Sequence, residues 1–355
     1  MMKWALEKSR ALFVLSIVPS HSVEIVGGSY SLSHGRRKMN TQRHSIPSPG
    51  TCAIASMLCF ALTSAMLSQP LQWRTILPLK NCGADSSIYS VHMADALHCF
   101  AVGEDGAAHR STDGGVTWSA MPVGGSADLY SVAFSTLSDG IICGDSGTVL
   151  RTSDGGASWW LRALPGFETR ALYSISWMDS ATAIICGGAS AIAHGQLGLP
   201  DGFILRSSDA GATWTVVHAD GAQFFWRAAV SPDGSTVRTT SYGPLAGGGI
   251  LASSDRGRTW LQEATQLPFL PHDIACTTAS GDTVFFACGG SPGSLAAAGG
   301  AAMKRNRDAW SVLPSIPAAG FFWSVTGRRN APNAIASFGT QSGQIWSRSD
   351  RKSVV

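Results

Sequence analysis

Four near-copies of one eight-residue phrase constrain this chain more than any other feature: Ser111-Thr-Asp-Gly-Gly-Val-Thr-Trp118, Thr152-Ser-Asp-Gly-Gly-Ala-Ser-Trp159, Ser207-Ser-Asp-Ala-Gly-Ala-Thr-Trp214 and Ser253-Ser-Asp-Arg-Gly-Arg-Thr-Trp260. They recur at 40 to 55 residues, the period of an array of like supersecondary units. Each position has a physical role. Asp113, Asp154, Asp209 and Asp255 can accept hydrogen bonds from amides further along a turn, glycine supplies positive φ, and the flanking hydroxyls close the turn. Trp118, Trp159, Trp214 and Trp260 then each bring a large apolar area with an indole N–H that needs an acceptor.

The phrase is the Asp-box, a hairpin turn. Its flanks repeat too. An aromatic-Ser-Val strand precedes it as Tyr89-Ser-Val, Tyr130-Ser-Val, Tyr173-Ser-Ile and Trp323-Ser-Val, with weaker copies at Trp226-Arg-Ala and His272-Asp-Ile. Apolar runs ending in glycine follow, such as Phe100-Ala-Val-Gly103 and Ile141-Ile-Cys-Gly144, then a third strand, the box and a fourth strand. Four short antiparallel strands per repeat around a common axis is the propeller solution to exposed edges. The chain therefore predicts an all-β, six-bladed β-propeller of four-stranded antiparallel blades, with seven blades as the alternative. The fifth box has decayed to Lys304-Arg-Asn-Arg-Asp-Ala-Trp310, and the sixth begins at Ser347-Arg-Ser-Asp350 just before the chain stops. Trp73-Arg-Thr-Ile-Leu-Pro78 reads as a post-box strand without a box, and pairing it with the last strand would close the ring. The 40 glycines and 14% charged residues suit many tight turns.

Residues 1–68 read as a targeting region and 69–355 as the propeller. Lys3, Lys8 and Arg10 precede the apolar run Ala11–Val18, and a second apolar run, Thr51 to Leu67, ends near Thr63-Ser-Ala65, a small-residue cleavage site. Ile25 through Ala84 holds no Asp or Glu, while Arg36, Arg37, Lys38 and Arg43 sit among serines. Signal, acid-poor stretch and second signal suit a route through the secretory pathway into a complex plastid and across the thylakoid membrane. The alternative is a start at Met39 with one ordinary signal and a secreted product.

Little points to catalysis or metal. Cys143, Cys186 and Cys288 share one repeat position, which Val102 fills in the first repeat, so they read as core residues in separate blades. A Cys82–Cys99 disulfide has no support in the pattern, and no spacing implies a metal or a cofactor. A sialidase would need a tyrosine nucleophile assisted by Glu. Tyr89, Tyr130 and Tyr173 hold the repeated strand position, leaving Tyr242, and Glu104, Glu168 and Glu263 form no recognisable pair. A net charge of +3, part of it in the targeting region, argues against nucleic acid.

Arg110, Arg151 and Arg206 each stand just before a box, at the end of the third strand. On adjacent blades they would form an arc of guanidiniums suited to carboxylates, or each would pair with a neighbouring Asp. The whole grammar, aromatic-Ser-Val followed by Leu-Arg-[Ser/Thr]-x-Asp-Gly-Gly-x-[Thr/Ser]-Trp, resembles the photosystem II stability/assembly factor family over about residues 70–350. That resemblance implies a lumenal, non-enzymatic, monomeric propeller, peripheral to the membrane at most. Its implied partner is the photosystem II reaction-centre (D1) precursor, bound through an arginine-rich face that Arg110, Arg151 and Arg206 match by register. A secreted sialidase-like carbohydrate-binding or glycoside-hydrolase propeller is the alternative.

Overall fold

The computed structural model describes residues 11–18, 22–29, 87–189, 201–243, 247–265, 267–290, 299–305, 309–313, 322–327, 335–340 and 345–349. Five four-stranded antiparallel sheets follow one another along the chain, each with its strands in sequence order from the hub outward. Blade 1 is Ile88–Met93, Cys99–Gly103, Ala108–Ser111 and Ser119–Ala120; blade 2 is Leu129–Phe134, Gly140–Gly144, Val149–Thr152 and Trp160–Leu161. Blade 3 opens with Arg170–Trp177, blade 4 with Phe224–Val230 and blade 5 with Leu270–Ala279.

The expected count needs correcting. Among the described residues five four-stranded blades are complete, not six or seven. The sixth repeat gives a three-stranded sheet of Phe322–Gly327, Ile335–Thr340 and Ile345–Ser349. The stretch after Ser349, where the sixth box would continue into a Trp and an outer strand, lies outside the described residues. The Trp73 segment expected to close the ring lies outside the described residues, as does Cys82. Ala11–Val18, expected as the apolar core of a signal, is paired antiparallel with Ser22–Ser29, and the latter runs beside the inner two strands of the sixth sheet.

Burial explains the strand sequences. The second strands of blades 1 and 2 are buried at every position, so they read as continuous apolar runs rather than alternating ones. Cys143, Cys186 and Cys288 are fully buried free thiols in the second strands of blades 2, 3 and 5, and Cys99 in that of blade 1 is a fourth. Apolar clusters then fill the spaces between blades. Phe100, Val102, Met121, Val132, Phe134 and Ile142 join blade 1 to blade 2. Equivalent clusters join each later pair.

The aromatic-Ser-Val phrase builds the hub. In each inner strand the aromatic residue sits where pairing with the second strand slips: Tyr89, Tyr130, Tyr173, His272 and Trp323 are skipped singly, and Trp226 is skipped together with Arg227. Such a bulge releases backbone groups from the ladder and re-aims the side chain. The rings consequently meet in series, with centroids 5.6 Å apart for Tyr89–Tyr130, 5.5 Å for Tyr130–Tyr173 and 4.6 Å for Tyr173–Trp226. The serine that follows accepts an amide from the next blade: Val132 N–H donates to Ser90 Oγ (3.4 Å), Ile175 to Ser131 (3.3 Å) and Ala228 to Ser174 (3.3 Å). The phrase is thus a blade-to-blade connector as well as a strand.

Candidate functional site

All four intact boxes fold alike. In the first, Ser111 Oγ donates to Asp113 Oδ1 (2.7 Å) and accepts from the Gly115 amide (2.8 Å), while Asp113 accepts from the amide and hydroxyl of Thr117. Thr152–Asp154–Ser158, Ser207–Asp209–Thr213 and Ser253–Asp255–Thr259 repeat these bonds. The hydrogen bonds hold the Asp113, Asp154 and Asp209 carboxyls down at about 2, led by the hydroxyls of Thr117, Ser158 and Thr213. Burial pushes Asp255 up, but the bonds from Thr259 and Ser253 outweigh it and leave that carboxyl low as well.

The second, third and fourth boxes also pack against the blade before them. Gly211 has φ +80°, and a Cβ there would lie 2.5 Å from Ile141 Cδ1 of blade 2; at Gly257 it would lie 2.6 Å from Ile184 Cδ1 of blade 3. Trp159 stands edge-on to Phe134, with centroids 6.0 Å apart, in the cluster between blades 1 and 2. The indole N–H of Trp118 reaches Gly115 O at 3.0 Å, and that of Trp260 reaches Gly257 O at 3.2 Å. Trp214 packs into the cluster between blades 2 and 3.

Arg110, Arg151 and Arg206 hold one register position on three successive blades, paired with Phe100, Ile141 and Ile184 respectively. The structure therefore brings them to the box end of blades 1 to 3. All three are half-buried, and each makes a bond. Arg110 donates to Gly155 O (3.3 Å) and Arg206 to Arg256 O (2.9 Å), in both cases reaching the box of the next blade. Arg151 instead pairs with Asp139 of its own blade at 3.4 Å. A guanidinium has five N–H donors, so one such bond leaves others to present.

The fourth box, Ser253-Ser-Asp-Arg-Gly-Arg-Thr-Trp260, brings two further cations to this end. Arg258 is exposed and donates to Asp255 O, and Arg256 pairs with Asp179. Burial, followed by the charge of Arg258, draws the Arg206 guanidinium below its usual range. Yet the setting is not broadly basic. Residues 87–303 carry nine Lys or Arg against eighteen Asp or Glu, and the chain's positive balance comes from 1–86 and 304–355. Arginines interleaved with box aspartates suit recognition of individual carboxylates rather than attraction of a polyanion.

The carboxylates weighed for catalysis have structural partners. Glu104 accepts the Ser87 amide (3.0 Å), and Glu168 accepts the Gly166 amide in an exposed turn. Glu263 takes both forks of Arg238 (2.7 and 2.9 Å), the Trp310 indole (2.9 Å) and Lys304, so it anchors the decayed fifth box to blade 4. Burial pushes the Tyr89, Tyr130 and Tyr173 phenols up, the opposite of what a nucleophile needs. Among the described residues no three His, Cys, Asp or Glu are placed to hold a metal, and no helix is long and apolar enough to cross a membrane.

Residues 68–245, just over half of the chain, match the family model described as Photosynthesis system II assembly factor YCF48. The chain belongs to this family. No curated protein matches it. Among solved structures, the YCF48-family chain is similar to "YCF48 bound to D1 peptide", at 18% identity and a TM-score of 0.51 over 75% of this chain and 82% of that one. It is similar to "YCF48 from Cyanidioschyzon merolae", at 13% and 0.50 over 75% and 85%. An ancestral GH74 enzyme also matches, at 15% and 0.58, over 73% of this chain and 36% of that one. At these identities the likenesses establish the fold.

Proposed function

We propose that this YCF48-family propeller is a non-enzymatic binding scaffold for photosystem II assembly. It works in the thylakoid lumen as a monomer, at most peripheral to the membrane. Its partner is the D1 reaction-centre precursor, and Arg110, Arg151 and Arg206 supply the contact with that partner's carboxylates. Family membership carries the reading, and a solved YCF48 bound to a D1 peptide supports the choice of partner. The equivalent register of the three arginines supports the choice of surface. The commitment of Glu104, Glu168 and Glu263 to structural partners favours a scaffold over a glycoside hydrolase.

The test is capture of a synthetic D1-precursor peptide by the full chain. Arg110, Arg151 and Arg206 would be changed together to Ala, and separately together to Lys. Alanine should weaken binding by about tenfold or more, since each charge-assisted bond contributes about 1.5–3 kcal/mol. Lysine keeps the charge but loses the planar fork, so it should restore binding only in part. Undiminished capture by the folded alanine variant rejects the arginine surface, and undiminished capture by the lysine variant rejects the need for the planar fork. A tagged full-length chain should appear in the plastid lumen, and release to the medium would overturn that placement.

A further inference from the structure

At the hub, away from the arginine surface, the serine repeat is broken in blade 4. Arg227 of blade 4 stands where blades 1, 2, 3 and the sixth sheet have Ser90, Ser131, Ser174 and Ser324. Its side chain crosses the axis instead of capping the neighbouring blade. Nη1 donates to Tyr173 O (3.1 Å) and Tyr130 O (3.3 Å), and Nη2 donates to Tyr89 O (3.3 Å). Those carbonyls belong to the bulged residues of blades 3, 2 and 1, whose rings surround the same level of the hub.

Replacing a serine by arginine removes the acceptor for the next blade's amide, and a second departure covers that loss. Asp273 of blade 5 stands at the same repeat position, and its Oδ1 accepts its neighbour's amide, Ile274 N–H, at 2.9 Å. Its Oδ2 accepts Val325 N–H of the sixth sheet at 2.9 Å, doing for that sheet what serine does elsewhere. Burial pushes the Asp273 carboxyl up, and the charge of Arg227 draws it back down. The two exceptions to the serine pattern are therefore adjacent, opposite in charge and mutually compensating.

We propose that the Tyr89, Tyr130 and Tyr173 carbonyls form an axial guanidinium-binding site, filled by the chain's own Arg227, which ties blades 1 to 4 into one cooperative unit. A guanidinium fits because its planar fork can address several carbonyls at once, whereas an ammonium is a compact point charge. The tie runs directly from blade 4 to blade 1 across the hub, so it does not depend on the three-stranded sixth sheet to join them.

The test is hydrogen exchange on the full chain at the amides of Val132 and Ile175, which report the inner strands of blades 2 and 3. Arg227→Ala should lose about tenfold or more of their protection, the scale of one lost bond to a charged donor. Low-millimolar methylguanidinium should restore it, and methylammonium should not. Unchanged protection in Arg227→Ala, or equal rescue by both cations, overturns the proposal. If Arg227→Ala does not fold, the double variant Arg227→Ser/Asp273→Ser reinstates the serine connectors and provides the same readout. It should fold while exchanging faster at both amides, and exchange matching the parent chain refutes the tie.

Discussion

The reasoning about the boxes is most exposed at Gly211. Its φ of +80° costs an L-residue about 1–2 kcal/mol, because Cβ crowds the following carbonyl. The added Cβ would also lie 2.5 Å from Ile141 Cδ1. Ile141 is fully buried in the cluster between blades 2 and 3, so the close-packed neighbours leave its Cδ1 little space to swing into. Overpacking of that kind adds about 1–3 kcal/mol, so Gly211→Ala should cost about 2–5 kcal/mol. Gly124→Ala separates the two contributions, since Gly124 has φ +68° with nothing within 4 Å of the new Cβ. It should show the backbone cost alone. Both variants would be unfolded in urea as full chains, reading midpoint shifts at constant slope. Equal losses in the two would refute the claim that the box glycine is an interblade packing position. The neighbouring Ala210, already at φ +57°, shows that the turn accommodates a side chain in the left-handed region.

Glu263→Ala should be the most damaging carboxylate change, by about 3 kcal/mol, because it strands the buried Arg238 and Lys304 without their shared partner. A urea midpoint within error of the parent chain would show that the network is dispensable. Acid should weaken the boxes in a defined window. The Asp113, Asp154 and Asp209 carboxyls titrate near 2 in the fold against 3.8 ordinarily, so their contribution is complete above about pH 4 and is lost as pH falls toward 2. Asp154→Asn should make stability less steep with pH between 4 and 2, and an unchanged slope would count against the assignment.

What could be read from the sequence follows from the range of the interactions involved. A box closes within four residues, Ser111 to Gly115 and Asp113 to Thr117, so its chemistry is written locally and survives four repetitions. The placement of Cys143, Cys186 and Cys288 in the core was legible for the same reason, since equivalent slots in equivalent strands share an environment. Outer strands such as Ser119–Ala120 and Trp160–Leu161 are two residues long, too short to show a period, which is why blade completeness could not be counted from alternation. The arginine arc was legible as a register position. What each guanidinium touches depends on the next blade, as Gly155, Asp139 and Arg256 show. Arg227 was harder still, with acceptors 54, 97 and 138 residues away, and it passed as a weaker copy of a strand motif. Yet the sequence did carry a trace of it. In a repeat whose serine takes up an amide of the next blade, a lone substitution should orphan that amide, so its survival requires a second change that supplies another acceptor. Arg227 and Asp273 are such a pair in consecutive repeats, and the place where two adjacent copies depart together is where a repeat protein has built something the repeat alone does not supply.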